Sequence, residues 1–225
     1  MRTMKYAVLL LGFSLLAAPA QARGLFWQTS FEAGLPSAPQ DFRLSYQAAA
    51  GAGLGIGIEA TPHIEAMLEF AYHSFPIHRS YFFGMAGLPD DGTVTLKGGV
   101  TTALMALFNM RLRPLNSRSR VQPSLCVGTG LCRFSVHETR AASAGWTLDV
   151  PAWGETDLAA RALAGVDVRW TEGVRLYAEG GEALIATTGD MTRVGLLRWG
   201  VRFTPEVFGT ARGREAAGNL NGGAR

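Results

Sequence analysis

Long stretches of the sequence alternate between apolar residues and polar residues or glycine, with a period of two. The clearest stretch runs from Leu44 to Glu59, where leucine, tyrosine, alanine and isoleucine occupy the even positions. Glycine, serine, glutamine and glutamate occupy nearly all of the odd positions. Successive side chains of a β-strand point to opposite faces, so this pattern predicts a strand with one apolar face. The stretch is about twice as long as an ordinary strand of a soluble protein.

The same alternation returns in three later stretches, at residues 64–72, 94–112 and 158–170. Each has one apolar face and one face with charged or small residues. Strands of about 10 residues or more are long enough to cross the hydrocarbon layer of a membrane at a tilt. A sheet in lipid has to close on itself, because unpaired backbone groups at an open edge cannot be hydrated there.

The connections between these strands alternate in length, as in membrane barrels with short periplasmic turns and long outer loops. Short breaks at residues 61–63, 113–119 and 171–173 alternate with longer segments at residues 34–41, 76–91 and 137–155. The sequence thus predicts an all-β protein, a closed antiparallel up-and-down transmembrane β-barrel of about eight strands. The expected strands lie near residues 24–31, 42–60, 64–75, 92–112, 120–136, 156–170, 174–186 and 191–203.

Residues 1–22 have the three parts of a secretory signal peptide. A basic start with Arg2 and Lys5 precedes an uncharged apolar stretch, and the triplet Ala20-Gln21-Ala22 predicts cleavage after Ala22. We therefore expect a barrel over residues 23–203 and a flexible periplasmic tail over residues 204–225, which are rich in glycine, alanine, asparagine and arginine. The expected location is the bacterial outer membrane.

The charge balance argues against a nucleic-acid partner. Removing Arg2 and Lys5 from the 21 basic residues leaves 19, against 18 acidic ones, so the formal charge falls from +3 to +1. The two signs are interspersed along the chain, whereas nucleic-acid binding requires a clustered basic face.

Three segments carry a resemblance to the small outer-membrane β-barrel proteins of Gram-negative bacteria, which include the opacity-type and OmpA-like barrels. They are LGIGIEATPHIEAMLEFAYHSF (54–75), GVDVRWTEGVRLYAEGG (165–181) and RVGLLRWGVRF (193–203). The resemblance implies contact with outer-membrane lipid and lipopolysaccharide. It also implies recognition of the last strand, which ends in Phe203, by the barrel-assembly machinery. In this chain 22 residues follow Phe203, whereas the family usually ends at or near such an aromatic residue.

Many charged side chains fall on or near the inward parity of the predicted strands. They are Glu59, Glu65, Glu69, His73, Lys97, Arg111, Arg161, Asp167, Arg169, Glu179, Arg198 and Arg202. They predict either a functional lumen, with an ion path or a small binding site, or a self-neutralising network of ion pairs. We favour the network, because buried charges persist mainly when they are paired. A narrow barrel filled in this way is expected to conduct ions poorly.

The sequence indicates no catalytic, cofactor or metal site. A hydrolase needs a hydroxyl, a base and an orienting acid together, and the candidates are His73 and Ser74, with His78 and the pair Asp90-Asp91. Adjacent strand residues point to opposite faces, so His73 and Ser74 should not pair. The histidines lack the spacing of metal ligands. The glycines at 51–57 continue as a strand rather than opening a nucleotide-binding helix.

Aromatic residues are expected in two places. Those near strand ends predict membrane girdles: Phe26, Trp27, Phe31, Tyr72, Phe75, Trp170, Trp199 and Phe203. Others lie in the expected loops, namely Tyr81, Phe82, Phe83, Trp146 and Trp153, and belong either to the upper girdle, which we favour, or to a recognition surface.

The leading functional hypothesis is a non-enzymatic outer-membrane barrel of structural or surface-interaction type, acting through loops 76–91 and 137–155. One alternative is a lipid-modifying hydrolase in the same barrel, and the other is a soluble periplasmic β-barrel binding protein. The partner of the outer loops is not indicated by the sequence.

The two cysteines test the strand predicted over residues 120–136. Cys126 and Cys132 share parity in a continuous strand, about 20 Å apart at about 3.3 Å per residue, too far for a disulfide. A tight turn at Gly128-Thr129-Gly130 would instead bring the sulfurs together. We favour the continuous strand and expect mass spectrometry of the folded, non-reduced protein to find no bridge between them. A Cys126–Cys132 disulfide would contradict the strand and the count of eight.

Overall fold

The computed structural model describes residues 24–115, 119–187 and 190–204. The expected signal peptide, residues 1–22, and all of the expected tail beyond Thr204 lie outside the described residues. Both stay predictions.

Eleven strands and two short helices make up the described chain. The barrel strands are β1 (Leu25–Ala38), β2 (Ala49–Thr61), β3 (Ile64–Pro76), β5 (Val100–Leu112), β6 (Val121–Val136), β9 (Trp153–Arg169), β10 (Val174–Ala186) and β11 (Met191–Phe203). The other elements are α1 (Gln40–Ser45), α2 (Arg79–Met85), β4 (Thr95–Gly98), β7 (Thr139–Ser143) and β8 (Trp146–Val150). Neither helix is long and apolar enough to cross a membrane.

Eight antiparallel strands form one closed barrel, in the order β1-β2-β3-β5-β6-β9-β10-β11, with β11 paired back to β1. Eleven register pairs close the ring, from Trp27 opposite Phe203 to Ala38 opposite Arg193. The fold class and the count of eight strands are confirmed. The short connections after β2, β5 and β9 lie at one end of the barrel, and the long connections lie at the other.

The start of the barrel differs from the expectation. The first strand continues to Ala38 instead of ending at Phe31, and residues 40–45 form helix α1 where the alternation predicts a strand from 42 to 60. The alternation in this segment does not reflect a strand. Helix α1 places the ring of Phe42 in the mouth of the barrel, so Phe42 is buried by a tertiary contact. Strand β2 therefore begins only at Ala49.

The predicted strand over 92–112 is broken at Gly98 and Gly99, whose φ angles of 79° and 76° favour glycine. The break sends β4 out of the barrel to join a separate sheet with order β4-β7-β8. Lys97, on β4, is therefore exposed outside the barrel, and its predicted inward position is wrong.

The outward faces of the barrel strands are mostly apolar, as the parity predicted. Leu54 is 54% exposed and Phe31 is 67% exposed. Five of the eight predicted girdle residues are exposed: Trp27, Phe31, Tyr72, Trp170 and Trp199. Phe26 and Phe75 are buried inside the barrel instead, because each lies on the inward parity of its strand. Phe203 is half-buried.

The inward glycines make room inside a narrow barrel. A Cβ atom on Gly200 would overlap the carbonyl oxygen of Thr29, and it would lie 2.7 Å from the Tyr177 hydroxyl. Gly195 lies on the outward parity of the same strand and has room for a Cβ atom. The nearest atom, in the backbone of Leu35, would be 3.7 Å away, which is an ordinary contact distance.

We predict that Gly200→Ala lowers the free energy of unfolding by about 1–3 kcal/mol, the usual cost of overpacking a tight interior. Gly195→Ala, the matched control on the same strand, should change it little. The measurement is urea unfolding of the barrel in lipid vesicles followed by tryptophan fluorescence. Equal effects of the two substitutions would contradict the packing argument.

Candidate functional site

Inward-facing residues form a charged network that extends from the short turns past the middle of the lumen. Five carboxylates, five arginines and one histidine are buried there among the described residues. They are Glu32, Glu65, Glu69, Asp167, Glu179, Arg111, Arg113, Arg161, Arg198, Arg202 and His73, and we call them the lumen network. Equal numbers of carboxylates and guanidiniums allow each buried charge to face an opposite one, which buried ions require.

The sequence predicted nine of these eleven residues. Glu59 and Arg169 were also predicted and are only half-buried, near the turns. Glu32 was missed because it lies on the part of β1 that was not expected to be a strand, and Arg113 because it lies in an expected turn. Continuing the alternation of each strand by one step would have found both.

Glu69 on β3 joins strands from the two sides of the barrel. Its carboxylate accepts hydrogen bonds from Nη1 of Arg198 at 2.9 and 3.0 Å, and from Nη2 of Arg161 at 2.5 Å. Asn109 supports the arrangement, because its side-chain oxygen accepts a hydrogen bond of 3.0 Å from Nε of Arg161. Two cations therefore share one carboxylate in the middle of the lumen.

Glu179 on β10 holds a second pair of cations. Its oxygens lie 2.5 Å from Nη2 of Arg198 and 2.8 Å from Nη2 of Arg111. The ring of Tyr177 lies beneath both guanidiniums, with its centroid 5.7 and 5.4 Å from their central carbons. The Tyr177 hydroxyl donates to the carbonyl oxygen of Thr29 at 3.0 Å, which fixes the ring in place.

Nearer the turns, Glu65 pairs with three arginines. Arg202 donates to it at 3.0 Å and Arg111 at 3.4 Å, and Arg113 makes a close ion pair. Arg202 also donates to Asp167 at 3.1 Å. Nine of the eleven residues are thus joined through shared partners, and Glu32 pairs with His73 instead. The pairing confirms the prediction of a self-neutralising lumen.

A separate cluster lies on the inner faces of β1 and β3. Ser30 donates to Glu32 at 2.8 Å, and the other oxygen of Glu32 lies 2.9 Å from Nε2 of His73. A serine hydrolase needs the imidazole between the hydroxyl and the acid, whereas here the carboxylate lies in the middle. His73 faces the lumen and the neighbouring Ser74 faces outward, so the two do not pair, as expected.

The spacing His-x-Ser of some lipid A deacylases occurs once in the sequence, at His78-Arg79-Ser80. The sequence reasoning named His78 as a candidate but overlooked Ser80, and its expectation that the chain has no such motif is wrong. In the structure the Ser80 hydroxyl donates to Asp90 at 2.8 Å, and Arg79 pairs with the same carboxylate at 3.3 Å. The hydroxyl is therefore held directly by the acid rather than by an imidazole, which is not the arrangement that activates a nucleophile.

The loop end of the lumen is apolar and closed by aromatic side chains. The ring of Phe42, from α1, lies 5.5 Å from Phe75 and 5.8 Å from Phe134 between centroids. Cys126 and Cys132 are buried on the inner face of the continuous strand β6, both with free thiols. Cys132 lies toward this apolar end, whereas Cys126 lies nearer the turns, with its sulfur 3.8 Å from Nη2 of Arg198. Charged residues dominate the part of the lumen nearer the short turns, where Phe26 and Met67 are also buried, and apolar residues dominate the part nearer the loops.

Beyond the barrel the long connections fold into what we call the outer-loop layer, made of α1, α2 and the sheet β4-β7-β8. It has a small apolar cluster of its own, in which Phe83, Val94 and Ala141 are almost fully buried. Phe83 is thus neither a girdle residue nor an exposed recognition residue.

The outer-loop layer exposes apolar groups on two of its elements and charged groups on one face of its sheet. Met85 is 73% exposed on α2 and Trp146 is 38% exposed on β8. Across the sheet, Arg140 on β7 pairs with Asp149 on β8 at 2.6 Å, beside the exposed Lys97 on β4. The charges of Arg140 and Asp149 are already paired with each other within the sheet. Met85 and Trp146, in contrast, expose apolar surface to solvent without a partner in the described chain.

A local hydrogen bond orders the segment that leads into β4. The hydroxyl and the backbone nitrogen of Thr93 donate to Asp91 at 2.6 and 2.9 Å. These hydrogen bonds favour the charged carboxylate and lower the pKa of Asp91. Across the part of the chain that the structure describes, no three His, Cys, Asp or Glu residues are grouped as a metal site would require.

Solved structures share this architecture. Neisserial surface protein A matches with a TM-score of 0.50 at 15% sequence identity, over 82% of this chain and 99% of that one. The chain has the fold of a small outer-membrane β-barrel. A major outer membrane protein of Thermus thermophilus matches with a TM-score of 0.49 at 11% identity, over 79% of this chain and 99% of that one. The attachment invasion locus protein Ail of Yersinia pestis matches with a TM-score of 0.45 at 12% identity, over 80% of this chain and 96% of that one. No protein-family model and no curated protein matches the sequence.

Removing one shared carboxylate should destabilise the barrel strongly. We predict that Glu69→Ala costs about 3–5 kcal/mol of unfolding free energy, because two buried guanidiniums lose their partner. Glu138→Ala, which removes an exposed partner of Arg140, should leave stability unchanged. Urea unfolding in lipid vesicles measures both variants, and a Glu69→Ala barrel as stable as the parent would contradict the network.

Proposed function

We propose that this chain is an outer-membrane protein whose barrel serves as a membrane anchor and whose outer-loop layer is its interaction surface. Export would use residues 1–22 as a cleaved signal peptide. The observation that carries the proposal is the contrast between a lumen filled by paired and apolar side chains and loops that fold into a layer with their own apolar cluster.

The exterior of the barrel supports the membrane location. Leucine, valine, phenylalanine and tryptophan side chains are exposed around the ring, for example Leu104, Leu125 and Leu197 on three different strands. In water such a surface would favour aggregation. In lipid it is the expected outward band, and closure leaves no unpaired strand edge.

The interior argues against transport. Arg111, Arg113, Arg198 and Arg202 are each at most 2% exposed, and the carboxylates Glu65, Glu69 and Glu179 are equally buried. Phe42 and its aromatic neighbours fill the loop end. An ion would have to displace a paired charge and then cross an apolar segment, and both steps are costly.

The outer-loop layer supports recognition of a protein surface. Its cluster around Phe83 holds α2 against the sheet, so the exposed Met85 and Trp146 are presented by ordered elements. Methionine and tryptophan are enriched at protein interfaces, whereas an acidic or anionic partner would favour unpaired cations. Arg140 is already paired with Asp149.

Location is tested first. The protein should be recovered in the outer-membrane fraction and migrate faster on gels when unheated, as a folded barrel does. Recovery only in the soluble periplasm would reject membrane anchoring.

Recognition is tested with cells that display equal amounts of the parent and two variants. Met85→Ala with Trp146→Ala removes the exposed apolar groups, and Lys97→Ala is the control on the polar face. Binding to a panel of purified extracellular proteins and to lipopolysaccharide is then compared with that of the parent. We expect the double variant to lose about tenfold or more in affinity for a protein of the panel, the scale of an interface hot spot. Equal binding by parent and variants, or binding only to lipopolysaccharide, would contradict a protein-recognition surface.

Conductance tests the anchor role. Because the lumen is filled, the folded protein in planar bilayers should give no large, stable current steps, whereas a general porin in the same bilayer should. Stable steps in the range of that porin would contradict a sealed barrel.

A further inference from the structure

Three charged side chains lie on the outward parity of the described barrel strands, and they are Arg133, Glu182 and Arg193. All three are exposed. Arg133 and Arg193 lie near the loop ends of their strands. Glu182 lies deeper, four residues before the end of β10.

The position of Glu182 along β10 places it in the apolar band. Trp170, 72% exposed, marks the turn end just before Val174. Glu182 lies eight residues after Val174. At about 3.3 Å per residue and a strand tilt of about 40°, this distance is about 20 Å along the membrane normal. The apolar band of such a barrel is about 25 Å tall, so Glu182 lies within it. A carboxylate on the lipid face is unfavourable, and an ionisable group in a membrane indicates a site with a partner.

The residues around Glu182 leave room for close approach. Its neighbours in register are Gly195 on β11 and Ala162 on β9, and Gly180 precedes it on the same face. Unlike Gly200 inside the barrel, Gly180 and Gly195 have space for a Cβ atom, since the nearest atoms would be 3.7 Å away. Packing within the chain therefore does not require glycine at either position.

A charge of the opposite sign lies on the neighbouring strand. Arg193 is opposite Leu184, so Arg193 and Glu182 are diagonal neighbours on one outward face. Within the described chain, neither residue forms an ion pair of 4 Å or less, although their strands are adjacent.

We propose that this face, made of Gly180, Glu182, Arg193 and Gly195, is the contact surface for a second copy of the chain in the membrane. A two-fold axis along the membrane normal, between β10 and β11, brings β10 of one barrel against β11 of the other at similar depth. Each Glu182 then meets the other copy's Arg193, giving two symmetric ion pairs. The glycines let the two backbones approach.

A second copy fits this face better than lipid does. Acyl chains offer no partner for a carboxylate, whereas the same face of another barrel carries both signs in complementary positions. The proposal relies on the membrane location argued above but not on the outer-loop layer, so fractionation separates failure of location from failure of dimerisation.

Charge reversal gives the decisive experiment, in lipid bilayers where copy number is counted by single-molecule photobleaching. Wild type should dimerise. Glu182→Arg alone and Arg193→Glu alone should each lower the dimerisation constant about tenfold to a hundredfold, because the substitution is present in both copies and removes both polar contacts. A mixture of the two variants should form mixed dimers, because both positions are then basic in one copy and acidic in the other, which restores both ion pairs. Monomeric wild type, or variants that fail to combine, would overturn the proposal.

Cysteine crosslinking covers the case in which a reversed variant does not fold. Gly180→Cys lies on the proposed face, and Ala106→Cys, outward on β5 on the other side of the ring, is the matched control. The native cysteines are buried and provide the background. A short bis-maleimide should link Gly180→Cys copies at least several times more than Ala106→Cys copies. Equal crosslinking at both positions would reject this face.

Discussion

The pairing of β1 with β11 is the contact on which the rest of the molecule depends. It joins the two ends of the described chain and leaves no strand edge, and in lipid an open edge would leave unpaired backbone groups at a cost of several kcal/mol each. Closure also separates an inner face from an outer face. Without it, the inward residues of β1 and β11, such as Glu32 and Arg198, would not enclose a common lumen.

A closed ring of eight strands is too narrow to hold water-filled space around many charges. The charges inside must satisfy one another, and the shared carboxylates Glu65, Glu69 and Glu179 do this by each pairing with two or three arginines. The same narrowness explains the inward glycines, such as Gly200, where a methyl group would overlap the backbone of the next strand. An interior packed in this way leaves the loops as the part of the molecule that can vary with function.

Local alternation predicted most of the barrel, because strand geometry imposes a period of two whatever the partner strand is. It placed Glu69 and Arg198 inside and kept Cys126 and Cys132 on one face of a continuous strand. It failed where contacts distant in sequence decide the outcome. Phe42 is helical because the mouth of the barrel offers it a site against Phe75, and no local pattern contains that information.

The sequence by itself determined which side chains face inward along most of each strand and how many strands form the barrel, since both follow from parity and the spacing of turns. Only the tertiary structure decided which charges meet: Glu69 and Arg198 are 129 positions apart in the chain and are joined by closure and register. The sheet of β4, β7 and β8 likewise required two loops to meet above the barrel. The alternation of side chains along a strand is local, whereas the pairing of buried charges depends on the shape of the whole ring.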